Sequence, residues 1–217
     1  MVRGRIDKSV ARIGILIFLI LIALGYLTGI KEFVLDSVIF IILILFFYFS
    51  YDKWNLSTPV FAFLILSFIP HNLGIFGFYF QSPLPIQWDH VTHFFPIMAF
   101  SMLFFRFLMP YMDKRFFSLK TLFLLLVALT AALGVGTFIE NAEFLGFLVN
   151  GFGEGAFAFG AGDALPGQVA TSVEEIEAFG GGWFNTMRDL IWNLAGALAG
   201  LLLIIAYYAH KPLQKNK

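Results

Sequence analysis

Long apolar runs separated by short polar stretches dominate the hydrophobic pattern of this chain. A helix needs about 20 mainly apolar residues to cross the hydrocarbon core of a bilayer. Six runs approach or exceed that length, at residues 10–27, 34–49, 58–80, 89–109, 119–147 and 183–208. The third is the weakest, because Pro70 and Gly74 interrupt its second half. The pattern predicts an all-α polytopic helix bundle of about six transmembrane helices, with residues 1–217 forming a single transmembrane domain.

The first apolar run has a second interpretation. Ala23-Leu24-Gly25 is a small-x-small sequence of the kind that follows the apolar core of a signal peptide. A retained first helix is the favoured interpretation, because leucine and isoleucine continue up to that point. The other loops stay on the same sides of the membrane under either interpretation.

The basic residues predict the orientation of the bundle, because short cytoplasmic loops collect lysine and arginine. With the N-terminus in the cytoplasm, twelve of the 14 basic residues lie at cytoplasmic ends, and only Lys31 and Arg188 lie outside. An odd number of helices would put the basic C-terminal tail outside. The distribution therefore favours an even number of helices with both termini in the cytoplasm.

Composition supports a membrane protein and excludes several other classes. Hydrophobic residues make up 59% of the 217 residues and charged residues 13%, whereas soluble domains carry about a quarter charged residues. A net charge of zero argues against nucleic acid as a partner. The chain has no cysteine, which excludes disulfides and thiolate metal sites. We expect a multi-pass protein of the plasma or inner membrane whose partners are membrane lipids.

Residues 150–182 differ in composition from the rest of the chain. They are rich in glycine and contain five acidic residues. On the predicted topology they form an extracytoplasmic loop. It is interpreted either as a solvated connection or as a lid over the polar groups described next.

Polar and ionisable residues collect at one level of the predicted bundle. Asp89 and His93 are four apart at the start of the fourth helix, and Glu140 and Glu143 are three apart near the end of the fifth. Each pair therefore shares a helix face. Asp189 lies in the first turns of the sixth helix. Because alternate helices run in opposite directions, all five side chains are expected at the outer face of the membrane.

Other polar residues fall at the same depth. Asn193 continues the face of Asp189, and Arg188, His71 and Glu143 are further candidates for contact with a ligand. Gly196 and Gly200 extend the same stripe, which predicts close helix packing.

Carboxylates beside an imidazole have two chemical interpretations. Asp89, His93, Glu140 and Asp189 are candidate catalytic residues, because a histidine beside carboxylates can act as a general acid or base. The same four residues offer oxygen and nitrogen ligands for a divalent metal ion such as zinc, manganese or magnesium, which is the candidate cofactor. A buried polar network that only fixes helix packing is the alternative.

Short motifs in the second half of the chain resemble the VanZ-like membrane proteins and, more closely, the related YjdF-like family. The motifs are Asp89-x-x-x-His93-Phe94, Glu140-x-x-Glu143, Asn185-Thr186-x-x-Asp189 and Asp189-x-x-x-Asn193-x-x-Gly196. Glu143 stands where VanZ-like chains tend to have glutamine, and Asn185 where the YjdF-like group tends to have aspartate. The resemblance implies a small polytopic helical protein that acts on the cell envelope or on lipid head groups.

Three functions follow from these patterns. The first is an outer-face site that binds or modifies a lipid or cell-envelope head group, with help from a metal ion. The second is a structural or accessory membrane protein whose polar cluster fixes helix packing. The third is a transporter, which the apolar inner halves of the helices and the absence of repeats in the sequence disfavour. Whether the site is enzymatic is left open by the sequence.

Overall fold

Helices account for the regular structure in the computed structural model, which describes residues 8–113, 117–150 and 181–209. No strand occurs within these ranges. The helices are α1 (Lys8–Thr28), α2 (Glu32–Ser50), α3 (Thr58–Asn72), α4 (Trp88–Leu108), α5 (Leu119–Asn150) and α6 (Gly181–Ala209). Short 3₁₀ turns follow α3 at Leu73–Phe76 and α4 at Met109–Tyr111.

The helix bounds differ most from the apolar runs after α3. The third run extends to residue 80, but the helix ends at Asn72 and its 3₁₀ extension ends at Phe76. Gly77 follows with a φ of +78°, a left-handed conformation that glycine adopts without a Cβ penalty. Residues 77–87 therefore form a connection to α4 and do not continue α3. The predicted glycine-rich loop lies outside the described residues apart from its ends at 150, 181 and 182.

Six helices are long and apolar enough to cross a membrane, as judged by length and composition. Large apolar side chains also cover their outer faces, with Leu27 82% exposed, Phe49 78% and Phe138 73%. Such a surface suits lipid, because hydrocarbon tails are as apolar as these side chains. The fold class is therefore the predicted helical membrane bundle. The cytoplasmic location of both termini stays a prediction.

Helix α4 lies at the centre of the half of the bundle that carries the polar residues. It packs against α3, α5 and α6, and its contact with α6 is the most extensive between described helices. A Cβ atom at Gly196 would overlap the backbone carbonyl of Phe94, and one at Gly200 would overlap Ser101 and the carbonyl of Met98. The two glycines therefore let α6 lie directly against the backbone of α4.

The other half of the bundle consists of α1, α2 and α3 around an aromatic core. Phe18 and Phe61 are fully buried there, and a Cβ atom at Gly14 would meet Ile65 on α3 at 2.7 Å. Helix α3 joins this half to α4. The site described below therefore rests mainly on α4, α5 and α6, with α2 and α3 beside it.

Arg106 ties three segments together at the end of the bundle opposite the polar cluster. Its Nε donates to the carbonyl of Asn55 at 2.9 Å, and a terminal nitrogen donates to the hydroxyl of Tyr208 at 2.6 Å. The guanidinium also lies 5.3 Å from the Tyr208 ring centroid, within the range of a cation–π interaction. The loop between α2 and α3 is thereby fixed against α4 and α6.

Candidate functional site

His93 is the centre of a buried cluster to which three helices contribute. Its Nε2 atom lies 3.7 Å from Oδ1 of Asp89 and 3.9 Å from Oδ1 of Asp189. Its Nδ1 atom lies 3.3 Å from Oε1 of Glu140. The side chains of His93, Glu140 and Asp189 are 4%, 6% and 1% exposed, and that of Asp89 is 14% exposed. The four residues predicted to share one site are brought together around this imidazole.

The two nitrogens of the His93 ring have different neighbours. Two aspartates face Nε2, while one glutamate faces Nδ1. A carboxylate beside Nδ1 favours the tautomer with the hydrogen on that nitrogen and the lone pair on Nε2. Histidine ligands of metal ions have this arrangement, with the second nitrogen donating to a carboxylate outside the ligand set. Glu140 lies in the position of such a carboxylate, and Asp89 and Asp189 lie on the side of the ring where further ligands would be.

The spacing of these atoms suits a bound cation. One ligand atom from each of Asp89, His93 and Asp189 lies within 4.8 Å of the others. Two ligand atoms that are about 2.1 Å from one tetrahedral ion lie about 3.4 Å apart. The separations at Nε2 are 3.7 and 3.9 Å, which exceed that spacing by about 0.3 and 0.5 Å.

A second group of potential ligands shares the same histidine. His93, Glu140 and Glu143 also offer ligand atoms within 4.8 Å of one another. Glu143 is partly buried, and its place at the rim of the cluster stays a prediction. Arg188 is exposed at the start of α6.

Asn193 lies beneath the cluster, one turn below Asp189 on α6. Its side chain is fully buried, and neither amide atom forms a hydrogen bond within the part of the chain that the structure describes. A Cβ atom at Gly136 would lie 2.6 Å from the amide nitrogen of Asn193, and Gly136 is one turn below Glu140 on α5. The Asn193 amide therefore occupies the space that a side chain at position 136 would need. A buried amide without a partner is costly unless a ligand or water satisfies it.

His71 lies on α3 and pairs with residues of other segments. Its Nε2 atom lies 2.7 Å from Oδ2 of Asp36 on α2, and its Nδ1 atom lies 2.7 Å from the hydroxyl of Tyr79. Both ring nitrogens of His71 therefore contact protein side chains, and its contact with a ligand stays a prediction. His90, which neighbours Asp89 in sequence, stacks on Trp192 at 5.0 Å between ring centroids.

Trp88 fixes the start of α4, where Asp89 begins the cluster. Its indole nitrogen donates to the carbonyl of Pro70 at 2.8 Å, and its ring lies edge-on to Phe78 at 4.8 Å. The Thr92 hydroxyl donates to the carbonyl of Asp89 at 2.7 Å. These contacts set the position of the first turn of α4 against α3.

A family model described as "Predicted membrane protein (DUF2238)" matches residues 10–211, which is more than nine-tenths of the chain. The chain belongs to this family. No curated protein and no solved structure matches it. Membership in the DUF2238 family agrees with the six apolar helices and supports a multi-pass membrane protein. The family description does not mention VanZ-like or YjdF-like proteins, so the resemblance to those two families stays a prediction.

Sequence reasoning about this DUF2238 protein missed Asp36 and Tyr79. Asp36 is an acidic residue inside the second apolar run, and an ionisable residue in such a run is by default a functional candidate. That signal was present in the sequence. Tyr79 gave no comparable signal, because its position depends on the turn at Gly77.

Proposed function

We propose that this DUF2238 protein binds a divalent metal ion through Asp89, His93 and Asp189, and through that ion the anionic head group of a membrane lipid. The observation that carries the proposal is the environment of His93. Glu140 faces one ring nitrogen, and two aspartates face the other at distances too long for hydrogen bonds. Such spacing suits ligands of a shared ion better than a direct hydrogen-bonded network.

Electrostatics supports a bound cation. Three carboxylates surround one imidazole, and two of them are more than nine-tenths buried. Like charges at this separation repel, and a cation between them relieves that repulsion. A divalent ion compensates two carboxylates at once. Oxygen ligands with one imidazole suit manganese, magnesium or zinc.

The depth of the cluster supports a lipid head group as the ligand. His93 is five residues from the start of α4. At about 1.5 Å per residue it lies about 7 Å below that end of the helix. This depth corresponds to the boundary between hydrocarbon and head groups. The distribution of basic residues supports placing this end on the outer face, so the proposed ligand belongs to the outer leaflet or the cell envelope.

A purely structural role is the second candidate, and the packing of α6 favours it. Gly196, Gly200 and the fit of Asn193 into Gly136 show that polar and small residues contribute to helix contact here. In that case the cluster would hold α4, α5 and α6 together without a ligand. Metal content separates the two candidates, because a packing network has no need of an ion.

The test is metal analysis of the purified protein. We expect wild type to retain about one equivalent of manganese or zinc after dialysis, and His93→Ala and Asp189→Asn to retain none. His90→Gln is the matched control, since His90 neighbours the cluster in sequence but stacks on Trp192. Equal metal content in wild type and His93→Ala, or none in either, would favour the structural role.

A further inference from the structure

Asp36, His71 and Tyr79 form a hydrogen-bonded chain beside the His93 cluster. The three residues come from α2, from α3 and from the connection before α4, and both links of the chain are 2.7 Å long. Asp36 is 5% exposed. We call this set the tyrosine chain. It is distinct in sequence and position from the proposed ligands of the ion.

The surroundings of the tyrosine chain hold it in one arrangement. The Tyr79 ring stacks on Phe33 with centroids 6.1 Å apart and an interplanar angle of 7°. A Cβ atom at Gly74 would lie 2.6 Å from the same ring, so only glycine lets it pack there. Asn72 donates to the Ser37 hydroxyl at 2.7 Å and fixes α3 against α2. The Tyr79 hydroxyl is therefore held in place before any ligand arrives.

The Tyr79 hydroxyl is close to the proposed ion site. Its side chain interacts with that of Thr92, which precedes His93 on α4. Burial, and after it the Asp89 carboxylate, raises the pKa of Tyr79 well above its ordinary value of 10.0. The phenol therefore stays protonated at physiological pH. The tyrosine chain connects the α2–α3 half of the bundle with the site on α4, α5 and α6.

The direction of the hydrogen bonds follows from the carboxylate at one end. Asp36 accepts a hydrogen from Nε2 of His71, which leaves the lone pair of the imidazole on Nδ1. Nδ1 then accepts the hydrogen of the Tyr79 hydroxyl. A hydroxyl whose hydrogen is committed in this way presents only oxygen lone pairs to its other neighbours. Tyr79 is thus fixed as a hydrogen-bond acceptor.

We propose that Tyr79 is a specificity residue whose oxygen accepts a hydrogen bond from a hydroxyl group of the bound head group, with Asp36 and His71 as positioning residues. This inference rests on the proposed function, because it needs a phosphate held at the ion next to Asp89. The ligand class is then a phosphodiester whose alcohol part carries a free hydroxyl. A head group without that hydroxyl leaves the Tyr79 acceptor unused.

Two lipids that differ in the alcohol part of the head group provide the test. Phosphatidylglycerol and phosphatidylmethanol are both phosphodiesters with one negative charge, but only the former has a free hydroxyl. Short-chain forms are titrated into the full chain loaded with Mn²⁺, and broadening of the ³¹P signal reports binding near the ion. We expect wild type to prefer phosphatidylglycerol about threefold to tenfold, the effect of one net hydrogen bond.

Variants assign the preference to the tyrosine chain. Tyr79→Phe should bind both lipids with the wild-type affinity for phosphatidylmethanol, and Tyr26→Phe, an exposed tyrosine on α1, should keep the preference. His71→Leu should lose the preference with Tyr79 intact, whereas His71→Gln, which retains an acceptor, should keep part of it. If the tyrosine chain had a purely structural role, every variant would weaken the binding of both lipids equally.

The outcomes separate this inference from the proposed function. Wild type that binds neither Mn²⁺ nor Zn²⁺ overturns the proposed function and this inference with it. Mn²⁺ and lipid binding without a preference, or a preference that survives in Tyr79→Phe, overturns the inference alone. Glycerophosphoglycerol, the head group without acyl chains, identifies the source of the ligand. If glycerophosphoglycerol competes weakly with phosphatidylglycerol, the ligand is a membrane lipid. If it competes as strongly as the lipid itself, the ligand is a soluble phosphodiester with the same hydroxyl chemistry.

Discussion

The Nδ1 atom of His93 lies 3.3 Å from Oε1 of Glu140, and both side chains are buried between α4 and α5. This contact determines which nitrogen of the ring faces the two aspartates. A neutral histidine that donates from Nδ1 has its lone pair on Nε2, the atom nearest Asp89 and Asp189. Glu140 thus acts on the proposed ion through the orientation of His93.

Glu140→Gln should weaken Mn²⁺ binding without abolishing it. The amide keeps the shape of the side chain but removes the charge that holds His93 in its metal-binding tautomer. Loss of such a carboxylate typically costs about tenfold to a hundredfold in metal affinity. Asp113→Asn is the control at an exposed carboxylate that follows the opposite end of α4 and pairs with Lys120, where we expect less than about a threefold change. Electron paramagnetic resonance of free Mn²⁺ measures both, and equal effects would contradict the orienting role of Glu140.

Single cysteines should report opposite sides of the membrane at Lys31 and Lys53. Both side chains are exposed in the connections that follow α1 and α2, and the chain has no native cysteine. The distribution of basic residues predicts that Lys31 is outside and Lys53 inside. An impermeant maleimide added to intact cells should label Lys31→Cys and leave Lys53→Cys unlabelled until the cells are opened. The reverse pattern would move the site to the cytoplasmic face.

The bundle and the centre of its site could be predicted from sequence because both depend on simple spacing. Helix length follows from the apolar runs. The common depth of Asp89, Glu140 and Asp189 follows from counting residues along helices of alternating direction. The sequence did not determine that the side chains of three helices would point toward His93. The rotation of each helix about its axis depends on contacts such as that of Gly196 with Phe94.

The arrangement around Tyr79 could not be predicted in the same way. Pro70 and Gly74 marked the second half of the third apolar run as weak, but they did not specify that the helix would end at Asn72 or that Gly77 would adopt a left-handed conformation. The pairing of Asp36 with His71 joins residues 35 apart on separate helices, and no local pattern specifies it. Which carboxylate faces which nitrogen of His93 is likewise a property of side-chain packing.

Gly196→Ala should destabilise the protein, whereas Gly134→Ala should not. A methyl group at Gly196 would overlap the carbonyl of Phe94, which is backbone and cannot rotate away, while a methyl group at Gly134 would meet nothing within 4 Å. We expect a loss of about 1–3 kcal/mol at Gly196 and a neutral or slightly stabilising effect at Gly134, because alanine favours helix. Melting temperatures in detergent measure both. A Gly196→Ala variant as stable as wild type would show that α6 does not pack on α4 in this way.

Tyr79 should make the stability of the protein fall more steeply at alkaline pH. Its pKa is raised in the folded state by burial and by Asp89, so above its ordinary value of 10.0 the unfolded chain releases a proton that the folded chain retains. The contribution of the protonated Tyr79 to the free energy of unfolding is therefore fully present below pH 10.0. It is lost as the pH rises toward the pKa of Tyr79 in the folded state. Melting temperatures of wild type and Tyr79→Phe should differ by a constant amount below about pH 9 and converge above about pH 10. Tyr26→Phe should follow wild type throughout, and a constant difference between wild type and Tyr79→Phe at every pH would contradict a raised pKa for Tyr79.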